Sequence, residues 1–281
     1  MQSSDTLFQQ KHELWLALLF GSFSLPDEEI ADLLYDFAMI EYRHLNWLGG
    51  RLAAEGKAFD YEKDEIDYRA ETTHALFAKL KLQIEMMGRA YPDPEDAMYA
   101  RFRSDEDYFV RKLESLMADP QADAEITAYD KHRTLPGYTL DKTQTDALTL
   151  FLFEESYKEY ELILVYTYAN FFADSKRLSN IFIDLIYESH FHLKSFARMM
   201  AKMGILTVPR TIMERVYKFE DLEQFLIDGI KEEEGAKEEC VKLAEMVGHD
   251  ALRDFFFFIN NQENYHIALM EQALDFLRSR A

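Results

Sequence analysis

Apolar residues along this chain return every three or four positions, and strict alternation is nearly absent, which predicts helices throughout and almost no strand. Eight segments carry the pattern, at 6–22, 27–55, 64–91, 94–117, 142–172, 175–204, 220–247 and 250–279. Their ends fall on punctuation. Pro26-Asp27-Glu28-Glu29 opens the second, Gly56 closes it, and Pro92 and Pro94 part the third from the fourth. Ser175 reads as the N-cap of the sixth, Gly204 and Pro209 close it, and Gly248 stops the seventh. Between 118 and 141 the period lapses, and Asp119-Pro120 and Pro136-Gly137 signal turns. The expectation is an all-α chain of two tandem four-helix units: an N-terminal bundle over 1–118, a linker over 119–141 and a C-terminal bundle over 142–281.

Composition narrows what such a chain does. At 281 residues, with 48% hydrophobic and 14% aromatic residues, it can bury a large core, and 10 glycines and 6 prolines leave long helices uninterrupted. A net charge of −21 argues against binding nucleic acid or an anionic membrane, both of which need a basic surface. The single Cys240 excludes an intramolecular disulfide and any cysteine-only metal site, and its apolar helix face makes it a packed thiol. The apolar run Leu14 to Leu25 is too short and interrupted for a membrane span, and no basic leader precedes it. A cytoplasmic location is expected.

The candidate chemistry lies in Glu-x-x-His pairs. Glu41-Tyr-Arg-His44 and Glu263-Asn-Tyr-His266 each put a carboxylate and an imidazole on the apolar face of a helix. Such groups are costly in a core unless paired or bound to metal. The C-terminal half adds Glu155 and Glu159 on one helix, Glu188 and His192 on the next, and Glu233 or Glu234 on the third. Glu159 and Glu188 lie about equally far from the turn near Asp174, as do Glu234 and Glu263 from Gly248. At about 1.5 Å rise per residue, equal distances from a hairpin turn put side chains at one level. Hard carboxylate oxygens with two imidazoles suit Fe, with Mn as an alternative, and can hold two ions open to O₂ or peroxide.

Over about 142–280 the chain resembles the ferritin-like superfamily, in its rubrerythrin-type branch, where two helical hairpins each supply a Glu from one helix and Glu-x-x-His from the next. The resemblance implies a di-iron carboxylate centre. Glu233 or Glu234 with Glu263 and His266 would hold one ion; Glu155 or Glu159 with Glu188 and His192 would hold the other. The chain departs from the family at Phe191, which stands where the pattern expects histidine, with His192 one residue later. The cysteine pairs of a rubredoxin-like module are absent, so an external electron donor is implied.

The N-terminal half looks like a partial copy, with Glu41 and His44 clear, Glu106 mid-helix, and only His12 and Glu13 near the start of the first helix. Glu71-Thr-Thr-His74 repeats the spacing but reads more simply as a surface pair. The run Phe255 to Phe258 covers every side of its helix and suits burial between layers or at a homo-oligomer interface. Two functions from different classes remain: a di-iron protein turning over O₂ or peroxide as peroxidase, ferroxidase or oxidase of an organic substrate, and a non-enzymatic helical scaffold with a degenerate site.

Overall fold

The computed structural model describes residues 4–280 and is all-helical; among those residues the one departure is an isolated antiparallel bridge between Thr72 and Glu125. Residues 1–3 and residue 281, at the outer edges of the two expected bundles, lie outside the described residues. The helices are α1 (Ser4–Ser24), α2 (Glu28–Ala54), α3 (Thr73–Ala90), α4 (Ala97–Met117), α5 (Lys142–Phe171), α6 (Lys176–Lys202), a short α7 (Glu214–Tyr217), α8 (Leu222–Val247) and α9 (Asp250–Arg278).

Their ends are held by short polar side chains. Asp27, Thr72, Asp96, Ser175 and Asp221 each accept a hydrogen bond from an amide of the helix they precede. Asp141 and Gln144 form a reciprocal capping box at α5. Gly248 ends α8 with φ of 62°, a left-handed backbone that glycine adopts without a side-chain clash. The turn that follows is therefore tight, and α9 starts at once.

The chain divides into two compact units, although not at the expected linker alone. The first runs through Lys131 and takes in Gly204–Thr211; the second comprises His132–Met203 and the chain from Ile212 onward. Within the first, α1 packs on α2 and α3, and α4 on α3 and α2. These four helices enclose Phe8, Trp15, Leu45, Phe77, Phe102 and Phe109. Within the second, α5 packs on α6 and α8, and α9 on α8 and α6, around Leu148, Phe182, Leu185, Phe256 and Met270.

The third helix begins at Thr73, well after the expected 64. The backbone at Glu71 and Thr73 bonds to 124–126, with Ile126 N donating to Glu71 O and Thr73 N donating to Ala124 O, both at 2.9 Å. The preceding segment is used as a cover: Phe59, Tyr61 and Tyr68 are buried, and Phe59 lies 4.7 Å from Phe8 between ring centroids. Of the phenylalanine run, Phe256 is buried whereas Phe257 and Phe258 are exposed. Among the described residues, no helix is long and apolar enough to cross a membrane.

Phe182 has no exposed surface, and its truncation would leave a cavity in the second unit. Phe182→Ala is expected to destabilise that unit by about 3–5 kcal/mol, read as a lower urea midpoint.

Candidate metal centre

Four helices of the second unit bring five ionisable side chains together. Glu159 comes from α5, His192 from α6, Glu233 from α8, and Glu263 with His266 from α9; all five are buried. Glu233 and Glu263 are equidistant from Gly248 along the chain, so the tight turn sets them at one level. Glu263 spans the two imidazoles: its Oε1 is 3.6 Å from His192 Nδ1 and its Oε2 is 2.9 Å from His266 Nδ1. Glu159 Oε1 meets His192 Nδ1 at 2.8 Å, and Glu233 Oε1 lies 3.5 Å from His266 Nδ1.

Several of these atoms approach one another without bonding. Glu159 Oε2, Glu263 Oε2 and both ring nitrogens of His266 are buried with no aligned hydrogen-bond partner. Donor atoms of His192, Glu263 and His266 lie within 4.8 Å of one another. Metal–ligand bonds of about 2.0–2.2 Å set the ligands of one ion at similar mutual separations. The donor set and its spacing therefore fit a metal ion.

The tautomer of His192 strengthens that fit. Gln262 Nε2 donates to Glu188 Oε2 at 2.8 Å, and a carboxylate only accepts, so the amide oxygen of Gln262 must face His192. That oxygen lies 3.2 Å from His192 Nε2, which consequently carries a hydrogen. In the neutral ring Nδ1 is then a lone pair aimed at the oxygens of Glu159 and Glu263. Such an arrangement needs either a proton or a cation between them.

Without metal the proton takes that place. Burial favours neutral His192, but the charge of Glu159, its hydrogen bond and the charge of Glu263 outweigh it and lift the ring to about 9. His266 rises to about 11, burial again being outweighed by its contacts with Glu233 and Glu263. Burial and then the charge of Glu233 push Glu263 up to about 8. Glu233 goes the other way: burial would raise it, yet its contacts with His266 and Glu263 hold it below the ordinary range. The three carboxylates also bear on Tyr166, whose buried hydroxyl is raised by desolvation first and by their charge second.

The sequence candidates thus separate. Glu159, His192, Glu233, Glu263 and His266 converge, and Phe191, where histidine was expected, is exposed beside Phe258. Glu155 is buried but held by Lys158 at 2.6 Å. Glu234 is exposed, one position round the helix from Glu233. Glu188 is half-buried and reaches the cluster only through Gln262. Gln262 was not singled out from the sequence; its signal is its place beside Glu263 on the helix that carries the pair.

In the first unit Glu41, His44 and Glu106 also converge, around a group that sequence reasoning passed over. Lys11 is fully buried and pairs with both Glu41 and Glu106, the latter at 2.5 Å. Its signal was legible: a lone lysine on a stripe of Leu7, Phe8, Leu14, Trp15 and Leu18. Its neighbours His12 and Glu13 go elsewhere, His12 against Trp15 and Tyr61 and Glu13 to the amide of Asp64. Burial pushes Glu106 up to about 7 against the pull of Lys11. Glu41, equally buried, is held below the ordinary range by Lys11 and His44. Glu71 precedes α3, and His74 sits by Asp123 at 3.8 Å, as a peripheral pair.

No family model, no curated protein and no solved structure matches this chain.

The raised groups of the second unit make its metal-free stability depend on pH. Folded Glu263 binds more protons than unfolded between its ordinary 4.5 and about 8, as do His192 and His266 between 6.5 and about 9 and 11. All three contributions are present below those windows and lost as pH climbs through them. The melting midpoint of chelator-treated protein is expected to fall from pH 6 to pH 9, and Glu263→Gln with His266→Gln to flatten that slope.

Proposed function

We propose that the second unit is a ferritin-like carboxylate–histidine centre for a pair of iron ions, with manganese as the alternative, reacting with O₂ or hydrogen peroxide. The observation that carries this reading is Glu263, whose two oxygens face two different imidazoles. Glu159 and His192 would hold one ion and Glu233 and His266 the other, with Glu263 within reach of both. Iron held there would supply the electrons that reduce O₂ or peroxide, a chemistry shared by peroxide reduction, ferroxidase activity and oxidation of an organic substrate.

The side chains prepare the site in three ways. Glu188, through Gln262, keeps the hydrogen of His192 on the outer nitrogen, leaving Nδ1 as the ligand atom. The core residues around the cluster keep bulk water away from the carboxylates. Glu263, His192 and His266 hold protons that a metal must displace, so binding should release acid. With Cys240 as the single cysteine, electrons for repeated turnover would come from a separate donor. The exposed Phe191 and Phe258, 5.9 Å apart between centroids, offer an apolar contact for a second copy or that donor.

One observation favours the scaffold reading: His192 already has hydrogen-bond partners on both ring nitrogens, Glu159 and Gln262. A double-mutant cycle on Glu263 and His266, in chelated protein and again after Fe(II) loading, separates the two. Both readings couple the pair in chelated protein, with removal of one partner worse than removal of both, but a scaffold leaves that coupling unchanged after Fe(II) loading whereas a metal centre replaces it.

The direct test is iron per chain after anaerobic Fe(II) loading and desalting, with an optical spectrum taken on admitting air. About two ions and a new near-ultraviolet absorption are expected, both lost in Glu263→Ala/His266→Ala while helicity is kept. Unchanged iron in that variant would sink the proposal.

A further inference from the structure

The first unit repeats the surroundings of a metal ion around an ammonium group. Lys11 Nζ lies against Glu41, 2.5 Å from Glu106 Oε1 and 3.4 Å from His44 Nδ1. His44 Nε2 is 3.0 Å from Asp105 Oδ2, an acceptor, so that nitrogen carries a hydrogen, while Nδ1 lies 3.4 Å from the ammonium and 3.3 Å from Glu41 Oε1. A carboxylate behind an imidazole that faces a cation is the arrangement by which proteins orient histidine ligands toward metals. Glu41 Oε1 and Glu106 Oε2 are buried and lack an aligned hydrogen-bond partner, so the carboxylates have capacity that the ammonium leaves unused. Tyr91 donates its hydroxyl to Glu106, and the rings of Phe102 and Tyr91 lie 4.9 and 5.5 Å from Nζ.

We propose that Lys11 is a resident cation standing where a divalent metal would stand, and that the first unit is a latent metal site which its own lysine keeps closed. The ligands that would take a first-row divalent ion are Glu41, Glu106 and His44 Nδ1, with Asp105 orienting the imidazole. Two carboxylates balance a divalent charge, and one imidazole completes a donor set that carboxylate-tolerant ions such as Zn(II), Mn(II) or Fe(II) accept. The ammonium offsets one of those two negative charges, needs no supply of metal and carries no redox chemistry. It also blocks entry, because a fully buried lysine tied to two carboxylates does not swing aside without leaving them uncompensated. The inference borrows from the proposed function only the notion of a cation amid carboxylates, and it stands whether or not the second unit binds iron.

The test reads the first unit alone. In a full-length chain whose second site is disabled by His192→Ala, Glu263→Ala and His266→Ala, Zn(II) per chain is measured after loading and desalting, together with the melting midpoint with and without Zn(II). With Lys11 intact, no retained zinc and no shift of midpoint are expected. Adding Lys11→Ala should lower the midpoint of the metal-free protein, create uptake of about one zinc per chain and raise the midpoint again when zinc is present. Further change of Glu41→Gln and Glu106→Gln should abolish that uptake. If the Lys11→Ala chain is recovered only by refolding with zinc, the inference is supported. Zinc retained with Lys11 in place, zinc unaffected by the two glutamine changes, or failure of the Lys11→Ala chain to bind zinc or to fold in its presence would each overturn it.

Discussion

A carboxylate that leaves water must find positive charge, and this requirement governs both helical cores of the protein. Glu41 and Glu106 in one unit, and Glu159, Glu233 and Glu263 in the other, sit where an isolated ionised group would be strongly disfavoured. In the first unit the positive charge is covalently part of the chain, as Lys11. In the second, the carboxylates face the imidazoles of His192 and His266, which hold protons there. The contrast follows from which side chain the helix packed beside the pair contributes: lysine from α1 in one case, glutamate from α8 in the other.

The helices themselves are ordinary in their making. Capping side chains and the left-handed Gly248 set where each begins or ends, and those ends set the level at which the ionisable groups meet. Glu233 prevails over Glu234 for that reason: a helix shows one face to the core, and one step along it turns the side chain by about 100°. The same geometry explains how the His192 ring reaches Glu159 although it is displaced by one residue from the expected place. An i, i+4 neighbour shares the face of Glu188 as well as an i, i+3 neighbour does, and Phe191 is turned outward.

The all-helical class, most helix ends and the Glu263–His266 and Glu41–His44 pairs were legible from periodicity and spacing. What escaped depends on contacts distant in sequence. Residues 64–72 look helical in isolation, but the backbone around Thr72 pairs with 124–126, which no local pattern reports. Glu188 looks like a ligand by spacing; only the intervening amide of Gln262 reveals that it orients His192 from behind. Lys11 was overlooked because lysine on an apolar stripe is ordinarily read as a long side chain reaching water, whereas here two distant carboxylates receive it.

The return of Gly204–Thr211 to the first unit bears on how the protein is made. Neither unit is continuous in sequence, so no single cut separates them and no fragment ending at Lys131 contains the whole of the first. On the ribosome, α5 and α6 must emerge before the last piece of the first unit exists. The first unit is therefore complete in sequence only after about half of the second has been made, so the usual order of one domain finished before the next begins is not open to this chain.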